Sequence, residues 1–428
     1  MFSFLDFKEK LKSKFVKNVF TLFTGSVIGQ VILFAFIPLL TRLYPEELFG
    51  ILFIFSSLTA ILKTIATLKF ELSIVLPDKD KHAVNLLVVA LFINFVLNLF
   101  FFFLVVLFFD VIIQISGESN ISIWFYFIPL SSFFIGFFEI VSSWNNRTEQ
   151  YKNISYSKVS RAFVTVSSQS SFKFIKPIGN GLVLGTIIGQ AFSAVVIFWL
   201  SFKSIAENIK FFSLKRSFVL IRKYKDIPLY NTLLGALNTL SNQIPFILLG
   251  KYFGIEVVAF YGMASKIILT PIGLVGESIA QVFYKTATDI VNEKKDLYRF
   301  VIKTYKNLLK VISLPLVFIF AATFFFEYIL GDGWGKTGLF SRLLLPWFII
   351  GFINRPVSGI ITILKKQKIT FWFDIILLVS RFLSIYLAYK MMFDDVIAIA
   401  LFSGVGILYG IFIFFFLIYI SKNTKRTY

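Results

Sequence analysis

The sequence predicts an all-α polytopic membrane protein with about twelve transmembrane helices. Of its 428 residues, 57% are hydrophobic and only 15% are charged, whereas a soluble domain carries about a quarter charged residues. Apolar runs of about 20 residues recur from one end of the chain to the other, each long enough to cross roughly 30 Å of hydrocarbon. The runs also lack the apolar–polar alternation of a transmembrane β-barrel.

The chain begins with an amphipathic segment at residues 1–17. Phe4, Phe7, Leu11 and Phe15 fall on one helical face and the lysines fall elsewhere, which is typical of a helix lying on an anionic membrane surface. Twelve apolar segments follow, and each predicts one span. The spans are expected at 18–40, 48–68, 83–109, 121–143, 155–173, 179–202, 227–250, 255–283, 304–326, 339–363, 370–391 and 396–420.

The distribution of basic residues predicts the topology. Lys and Arg concentrate before the first span, in every second connection and after the last span, so both termini are expected in the cytoplasm. This pattern explains the net charge of +20 without a nucleic-acid partner. The basic connection 203–226 separates an N-terminal six-helix lobe, 18–202, from a C-terminal lobe, 227–420, and residues 421–428 form a cytoplasmic tail.

A short internal repeat indicates that the two lobes are copies of one design. The segment "LLTRLYPEELFG" at 39–50 aligns without gaps on "LLGKYFGIEVVA" at 248–259, which matches Arg42 with Lys251. Six spans separate the segments, so the two copies share one orientation. Halves repeated in this way usually place the substrate path between them.

Two longer motifs carry a resemblance to a known family. The first repeat segment is followed by "LKTIATLKFELSIVLP" at 62–77, and the C-terminal half contains "GDGWGKTGLFSRLLLPWFIIGFINRPVSGIITILKKQK" at 331–368. Together they resemble the polysaccharide-transport branch of the multidrug/oligosaccharidyl-lipid/polysaccharide exporter superfamily, the Wzx-type flippases. The residue before Pro356 is usually small in that pattern, and here it is Arg355.

The resemblance implies both a fold and a substrate. It implies two V-shaped lobes of helices around a central cavity, in the bacterial cytoplasmic (inner) membrane. The implied cargo is an undecaprenyl-diphosphate-linked oligosaccharide, moved from the inner to the outer leaflet for O-antigen, capsule or exopolysaccharide synthesis. Membrane lipids are further expected partners, and a polysaccharide polymerase is a candidate partner.

Ionisable residues inside the predicted spans indicate where the cargo binds. Each costs about 2.5–3.5 kcal/mol at the centre of a span, so each is expected to face water, a partner group or a substrate. Cations exceed anions, which suits a diphosphate, because guanidinium groups grip phosphate oxygens in a fork. The expected substrate-binding residues are Arg161, Lys158, Lys266, Arg381, Arg355, Asn238 and Asn242, with Arg42 and Lys251 at the outer mouth.

The fifth span is the most polar. Lys158, Arg161, Thr165 and Ser168 share one face of this helix, which is predicted to line a wet cavity. Arg161 is the central candidate for the diphosphate. The alternative is that Lys158 and Arg161 lie near the cytoplasmic end and extend to the interface.

Three carboxylates are candidates for binding a coupling ion, either a proton or sodium: Glu277, Glu139 and Asp374. Glu277 shares a helix face with Lys266, and Asp374 shares one with Arg381, so structural pairing is an open alternative for both. The Glu277 hypothesis assumes that the carboxyl is buried and that burial favours its protonated form.

An enzyme is not expected. The chain has no cysteine, a single histidine, His82, in a polar connection, and no phosphate-binding Gly-Lys-Ser/Thr motif, so no metal site, ATPase or cofactor is predicted. The open alternatives are a multidrug or cation antiporter of the same superfamily, a flippase for a peptidoglycan or teichoic-type lipid-linked precursor and, more remotely, a membrane glycosyltransferase.

Overall fold

The computed structural model describes residues 14–110, 122–175 and 179–423, and this part of the chain folds into helices without a strand. The all-α prediction is therefore confirmed. The predicted amphipathic helix at 1–17 lies mostly outside the described residues. The helices of seven or more residues are α1 (Lys14–Ala35), α2 (Ile37–Leu43), α3 (Glu46–Ala66), α4 (Asp80–Leu107), α5 (Ile128–Arg147), α6 (Tyr151–Phe172), α7 (Gly181–Ile209), α8 (Leu214–Tyr224), α9 (Asp226–Phe253), α10 (Ile255–Asn292), α11 (Leu297–Ala322), α12 (Gly335–Val357), α13 (Gln367–Lys390) and α14 (Asp395–Asn423).

Ten of the described helical segments are long and apolar enough to cross a membrane, and an eleventh is the pair Leu297–Ser313 and Pro315–Leu330, bent by 43°. The bend falls where Pro315 removes a backbone donor and its ring crowds the preceding turn. The predicted fifth span corresponds to α6, which is a helix but too polar to count among the ten or eleven. The predicted number of about twelve is therefore close.

The chain divides into two compact units, one of residues 1–44 with 54–239 and the other of residues 45–53 with 240–428. Helices α3 and α9 each contribute residues to both units. We call these unit 1 and unit 2. The sequence-based boundaries at 203 and 226 stay a prediction.

In unit 1 the polar helix α6 lies between two glycine-bearing helices. Gly25 of α1 faces Ser155, and Gly189 of α7 faces Thr165, so closely that a Cβ atom at either glycine would overlap the α6 side chain. The glycines recur at every fourth residue, as Gly25 and Gly29 on α1 and as Gly181, Gly185 and Gly189 on α7. Small residues at this spacing let membrane helices approach closely. Close packing therefore shields α6, which has too few apolar residues to face lipid.

In unit 2 the two family motifs meet around Trp334, whose side chain is fully buried. Phe49, from the start of α3, packs edge-to-face on Trp334 with ring centroids 5.2 Å apart, and Phe260 of α10 does the same at 5.9 Å. Edge-to-face pairs add stabilisation beyond the buried area. The neighbouring Gly333 has φ of +89° and lies against the carboxylate of Glu46, so a side chain at this position would be both strained and obstructed.

The connection predicted as a basic loop at 203–226 contains a helix, α8, that was not among the predicted elements. Its buried side comprises Ser217 and Leu220. Leu220 joins the apolar core that α4, α5 and α7 form around the fully buried Trp144. Helix α8 is therefore part of unit 1.

Candidate functional site

Arg161 is the most prominent of the predicted site residues in unit 1. It lies on α6 and is half-buried. Glu139 is near enough to act on its charge, but among the described residues Arg161 has no hydrogen bond or ion pair. A cation with no partner inside a membrane protein is available to an anionic ligand, because an unpaired charge is costly unless something neutralises it.

Glu139 is already engaged by a different residue. Lys63 of α3 donates to both of its carboxylate oxygens, at 2.7 and 2.8 Å, and both side chains are partly buried. The Lys63–Glu139 pair is neutral as a unit, so the charge of Arg161 is left over. A role for Glu139 in ion coupling stays a prediction and would require this pair to open.

The structure corrects the reading of the α6 face next to Arg161. Thr165 is 8% exposed and faces Gly189 of α7, so this part of the face is packed against a helix rather than water. Lys158 donates a hydrogen bond to the Oγ of Ser26 on α1, at 3.0 Å. Arg161 is therefore the stronger of the two cationic candidates on α6.

In unit 2 the corresponding cation is Lys266, half-buried on α10. It makes no hydrogen bond or ion pair with the residues that the structure describes. Its position is set by α10, which continues through Pro271 to Asn292. Lys266 and Arg161 share one property: each is a partly accessible cation on a long helix without a described anionic partner in contact.

Arg355 and Glu277 form a second charged group in unit 2. The side chain of Arg355 crosses α10 where Gly273 and Gly276 leave room, and its Nη2 lies 3.6 Å from Oε2 of Glu277. The two side chains are 55% and 65% exposed. The assumed burial of Glu277 is therefore wrong, and an exposed pair of this kind contributes little stability. Whether either residue binds substrate or an ion stays a prediction.

Arg381 is held much more firmly than a free binding residue would be. It is 4% exposed, and its Nη1 donates to the carbonyl and hydroxyl oxygens of Ser241, at 3.0 and 2.9 Å, and to Oδ1 of Asn242, at 3.2 Å. Its guanidinium also lies over the rings of Trp347 and Phe402, at 4.8 and 5.5 Å. These contacts join α9 to α12, α13 and α14.

Asp374 lies two turns before Arg381 on α13 and accepts a hydrogen bond of 2.7 Å from the hydroxyl of Tyr409 on α14. It is half-buried. The remaining predicted residue on α9, Asn238, is exposed, as is Asn242. Asp374 thus presents a carboxylate whose contacts include no described cation, although the charge of Arg381 acts on it from a distance.

The two predicted outer-mouth cations are exposed. Arg42 donates to the carbonyl of Pro38 one turn earlier in the same helix, at 2.8 Å. Lys251 lies over the ring of the adjacent Tyr252, at 5.8 Å. Between Arg42 and Pro45, Tyr44 donates to the carbonyl of Gln169 at 2.6 Å, and this bond fixes the end of α2 in unit 1.

Sequence reasoning missed Glu71, a carboxylate 5% exposed in the short 3-10 helix Phe70–Ser73, which lies in the connection between α3 and α4. Lys69 approaches it to 3.7 Å, and its Oε2 has no hydrogen bond among the described residues. Burial raises the pKa of Glu71 above its ordinary value, and the charge of Glu139 adds to this, while a backbone hydrogen bond and the charges of Lys69 and Lys63 oppose it. Leu68 and Lys69 both have positive φ, of +47° and +51°. The sequence does not predict this backbone conformation, because neither residue is Gly or Asn.

Comparisons with known proteins define the family and the fold. A family model described as "Polysaccharide biosynthesis protein" matches residues 39–337. No curated protein matches the chain significantly.

Solved structures with this fold include an inward-facing multidrug resistance transporter of the MATE family in the MOP superfamily, with 15% identity and a TM-score of 0.70 over 95% of this chain and 96% of that one. The lipid II flippase MurJ in an inward closed conformation has 16% identity and a TM-score of 0.67 over 96% and 90%. A MOP superfamily transporter from Pyrococcus furiosus, described by the reverse polarity of its binding pocket, has 14% identity and a TM-score of 0.62 over 96% of both chains.

Proposed function

Because the chain belongs to the polysaccharide biosynthesis protein family, we propose that it is a flippase for a lipid-linked oligosaccharide. The proposed cargo is an undecaprenyl-diphosphate-linked repeat unit, moved from the inner to the outer leaflet of the cytoplasmic membrane. The product would enter O-antigen, capsule or other exopolysaccharide synthesis, with a polymerase as the next partner. The observation that carries the proposal is Arg161, a half-buried cation with no described hydrogen bond or ion pair on a helix too polar for lipid.

The chemistry of the cargo fits this charge. A diphosphate is a compact double anion, and a guanidinium binds phosphate oxygens through two parallel N–H donors. Since Lys63 already neutralises Glu139, the positive charge of Arg161 is free to attract an anion. In unit 2, Lys266 offers a second cation of the same kind. The polyprenyl tail would stay in lipid while the head group passes through by alternating access.

A cation or drug antiporter is the principal alternative, since proteins of the multidrug MATE family share the fold. A site for a cationic drug requires unpaired carboxylates, because it must attract positive charge. Among the described residues, two half-buried cations, Arg161 and Lys266, instead lack a hydrogen bond or ion pair, which favours an anionic cargo. The fold is equally compatible with flipping a lipid, since a lipid II flippase shares it, and a peptidoglycan or teichoic-type precursor remains the alternative cargo.

An ion gradient would drive the cycle, and Asp374 is the strongest candidate for binding the ion. It is half-buried, and its described hydrogen bond comes from the neutral hydroxyl of Tyr409. A proton or a sodium ion would bind there without first breaking an ion pair, which Glu139 would require. Asp374→Asn should therefore uncouple transport from the ion gradient; unchanged coupling would shift the role to Glu139 or Glu277.

Both termini are proposed to be cytoplasmic. The chain has no cysteine, so single introduced cysteines report topology without background. A cysteine at Met391 should react with an impermeant reagent added to intact cells, and one at Lys215 should react only after the membrane is opened. The reverse pattern would overturn the orientation.

The test of function uses purified protein in liposomes with a labelled polyprenyl-diphosphate sugar. Arg161→Ala should lower substrate affinity about tenfold to a hundredfold, because it removes charge-assisted hydrogen bonds worth roughly 1.5–3 kcal/mol. Arg161→Lys should recover part of the loss, since the charge remains without the fork. Arg299→Ala, which removes an exposed arginine from the first turn of α11, is the matched control. Transport at the normal rate by Arg161→Ala would refute the proposal.

A further inference from the structure

The buried side chain of Asn85 holds helix α8 and the residues before it against unit 1. Asn85 of α4, fully buried, accepts hydrogen bonds from the backbone amide of Ser213 at 2.8 Å and from the hydroxyl of Ser217 at 3.2 Å. It also donates to the carbonyl of Phe211 at 3.1 Å. With Leu220 in the core, these bonds determine which side of α8 is covered and which side stays open.

The open side of α8 carries large apolar side chains. Leu214 and Phe218 are one turn apart and 68% and 67% exposed, and Val219 is 61% exposed. Phe211 and Phe212, just before the helix, are 42% and 37% exposed. In water this group would be an unfavourable apolar patch, so its occurrence beside a covered face indicates that something apolar contacts it.

Basic side chains border the apolar group. From residue 208 to residue 225 the sequence contains six lysines and arginines and no acid. Four basic residues from two elements, Lys79 and Lys81 at the start of α4 and Arg216 and Lys223 on α8, lie close enough to His82 to act on its charge. The surface thus combines exposed apolar residues with a basic cluster, which is the pattern of a helix in a membrane interface.

The lengths of the flanking helices place α8 at the level of the lipid head groups. Helix α7 has 29 residues and α9 has 28, so each is roughly 42–44 Å long at 1.5 Å per residue. A bilayer measures about 40–45 Å including its head groups. One residue separates α8 from α9, and four separate it from α7, so α8 is held where the spans leave the membrane.

We propose that α8 is a binding site for anionic phospholipid in the cytoplasmic leaflet. Leu214 and Phe218 would enter the boundary of the acyl chains, while Lys79, Lys81, Arg216 and Lys223 would bind head-group phosphates. The proposal concerns bulk lipid and does not depend on the cargo of the flippase. An acidic cytoplasmic protein could also cover a basic apolar helix, but the head-group depth of α8 and its covalent connection to two spans favour lipid.

The test places a bimane fluorophore on Phe218→Cys in this cysteine-free chain, in vesicles of phosphatidylcholine and phosphatidylglycerol. Nitroxide-labelled phosphatidylglycerol should quench the probe more than nitroxide-labelled phosphatidylcholine, by at least about twofold. The control is Phe318→Cys, equally exposed at 67%, on the segment Pro315–Leu330, which contains no Lys or Arg. It should be quenched by both lipids without preference.

The second arm changes the charge. The triple variant Lys79→Gln, Lys81→Gln, Lys223→Gln keeps Arg216 unchanged. Arg216 donates a hydrogen bond to the carbonyl of Phe211, so the packing of α8 against unit 1 is preserved. The triple variant should remove most of the preference for phosphatidylglycerol while quenching by both lipids persists. The proposal fails if the probe at 218 is quenched by neither lipid and reacts as a water-exposed group, which would point to a protein partner. It also fails if the preference is unchanged in the triple variant.

Discussion

The two compact units hold charged side chains in their interiors by different means. Unit 1 uses ion pairs: Lys63 with Glu139 at 2.7 Å, and Lys69 beside Glu71 at 3.7 Å. Unit 2 surrounds Arg381 with the neutral oxygens of Ser241 and Asn242 and with aromatic rings. Its Asp374 likewise has the hydroxyl of Tyr409 as its described hydrogen-bond donor.

This difference decides how each unit responds to substitution. Removing one member of an ion pair leaves the other charge uncompensated, which costs more than the pair contributed. Removing a cation from a neutral cage leaves no charge behind and relieves its desolvation. Unit 1 should therefore be sensitive to single charge deletions that unit 2 tolerates.

The largest expected effect comes from the close packing of α6 in unit 1. Gly189→Leu would drive a side chain into Thr165 and should destabilise unit 1 by about 3 kcal/mol or more. Gly404→Leu in unit 2 is the control, since nothing lies within 4 Å of a Cβ at that position. The stability of the two variants is compared by their yield and by their thermal unfolding in detergent. Equal stability of the two variants would show that the glycine contacts of α6 do not determine its packing.

Next in size is the deletion of one charge from the pair in unit 1. Lys63→Met should cost about 2 kcal/mol, less than a fully buried pair because both side chains are partly accessible. The double variant Lys63→Met with Glu139→Leu should regain most of this loss, since neither member of the pair remains without the other. Thermal unfolding of the wild type, the two single variants and the double variant gives the interaction free energy between Lys63 and Glu139. A double variant as unstable as the sum of the single variants would contradict pairing as the source of stability.

The deletion in unit 2 should have a smaller effect. Arg381→Met nearly keeps the volume of the side chain and leaves behind only neutral hydrogen-bond partners, so stability should change by about 1 kcal/mol or less. Transport then separates the two roles of Arg381: a loss of transport at unchanged stability supports substrate binding, and normal transport identifies a cross-link of the helices. A loss of stability as large as that of Lys63→Met would remove the contrast between the units.

The spans could be predicted from sequence because length and hydropathy need no tertiary information. The roles of individual charges could not, because their partners are distant in sequence: Lys63 pairs with Glu139 on another helix, and Ser241 holds Arg381. Helix α8 was missed because its mixed apolar and basic residues resemble those of a loop. The polar residues of α6 alone predict a face in water, because the helices that cover this face, with glycines at every fourth residue of α1 and α7, are distant in sequence.

The smallest effect concerns Glu71, whose pKa is raised by burial above the ordinary 4.5. When the pKa of a carboxyl is higher in the folded state than in the unfolded state, its protonated form stabilises the fold. This contribution is fully present at pH values below the unfolded-state pKa. It is lost as the pH rises through the folded-state pKa. Between pH 4 and pH 8 the wild-type protein should therefore lose stability that Glu71→Gln retains, since the amide does not ionise. Thermal unfolding across this range should show the variant equal to wild type at the acidic end and more stable at the alkaline end.

Asp78→Asn provides the matched control, because Asp78 is exposed in the same connection between α3 and α4 and its substitution should leave the profile like that of wild type. If Glu71→Gln is instead less stable at pH 8, the attraction of Lys69 and Lys63 outweighs burial. Glu71 would then behave as a conventional ion-pair partner, and unit 1 would rely on two strong pairs rather than one. The sign of this single difference therefore measures how far unit 1 depends on ion pairing.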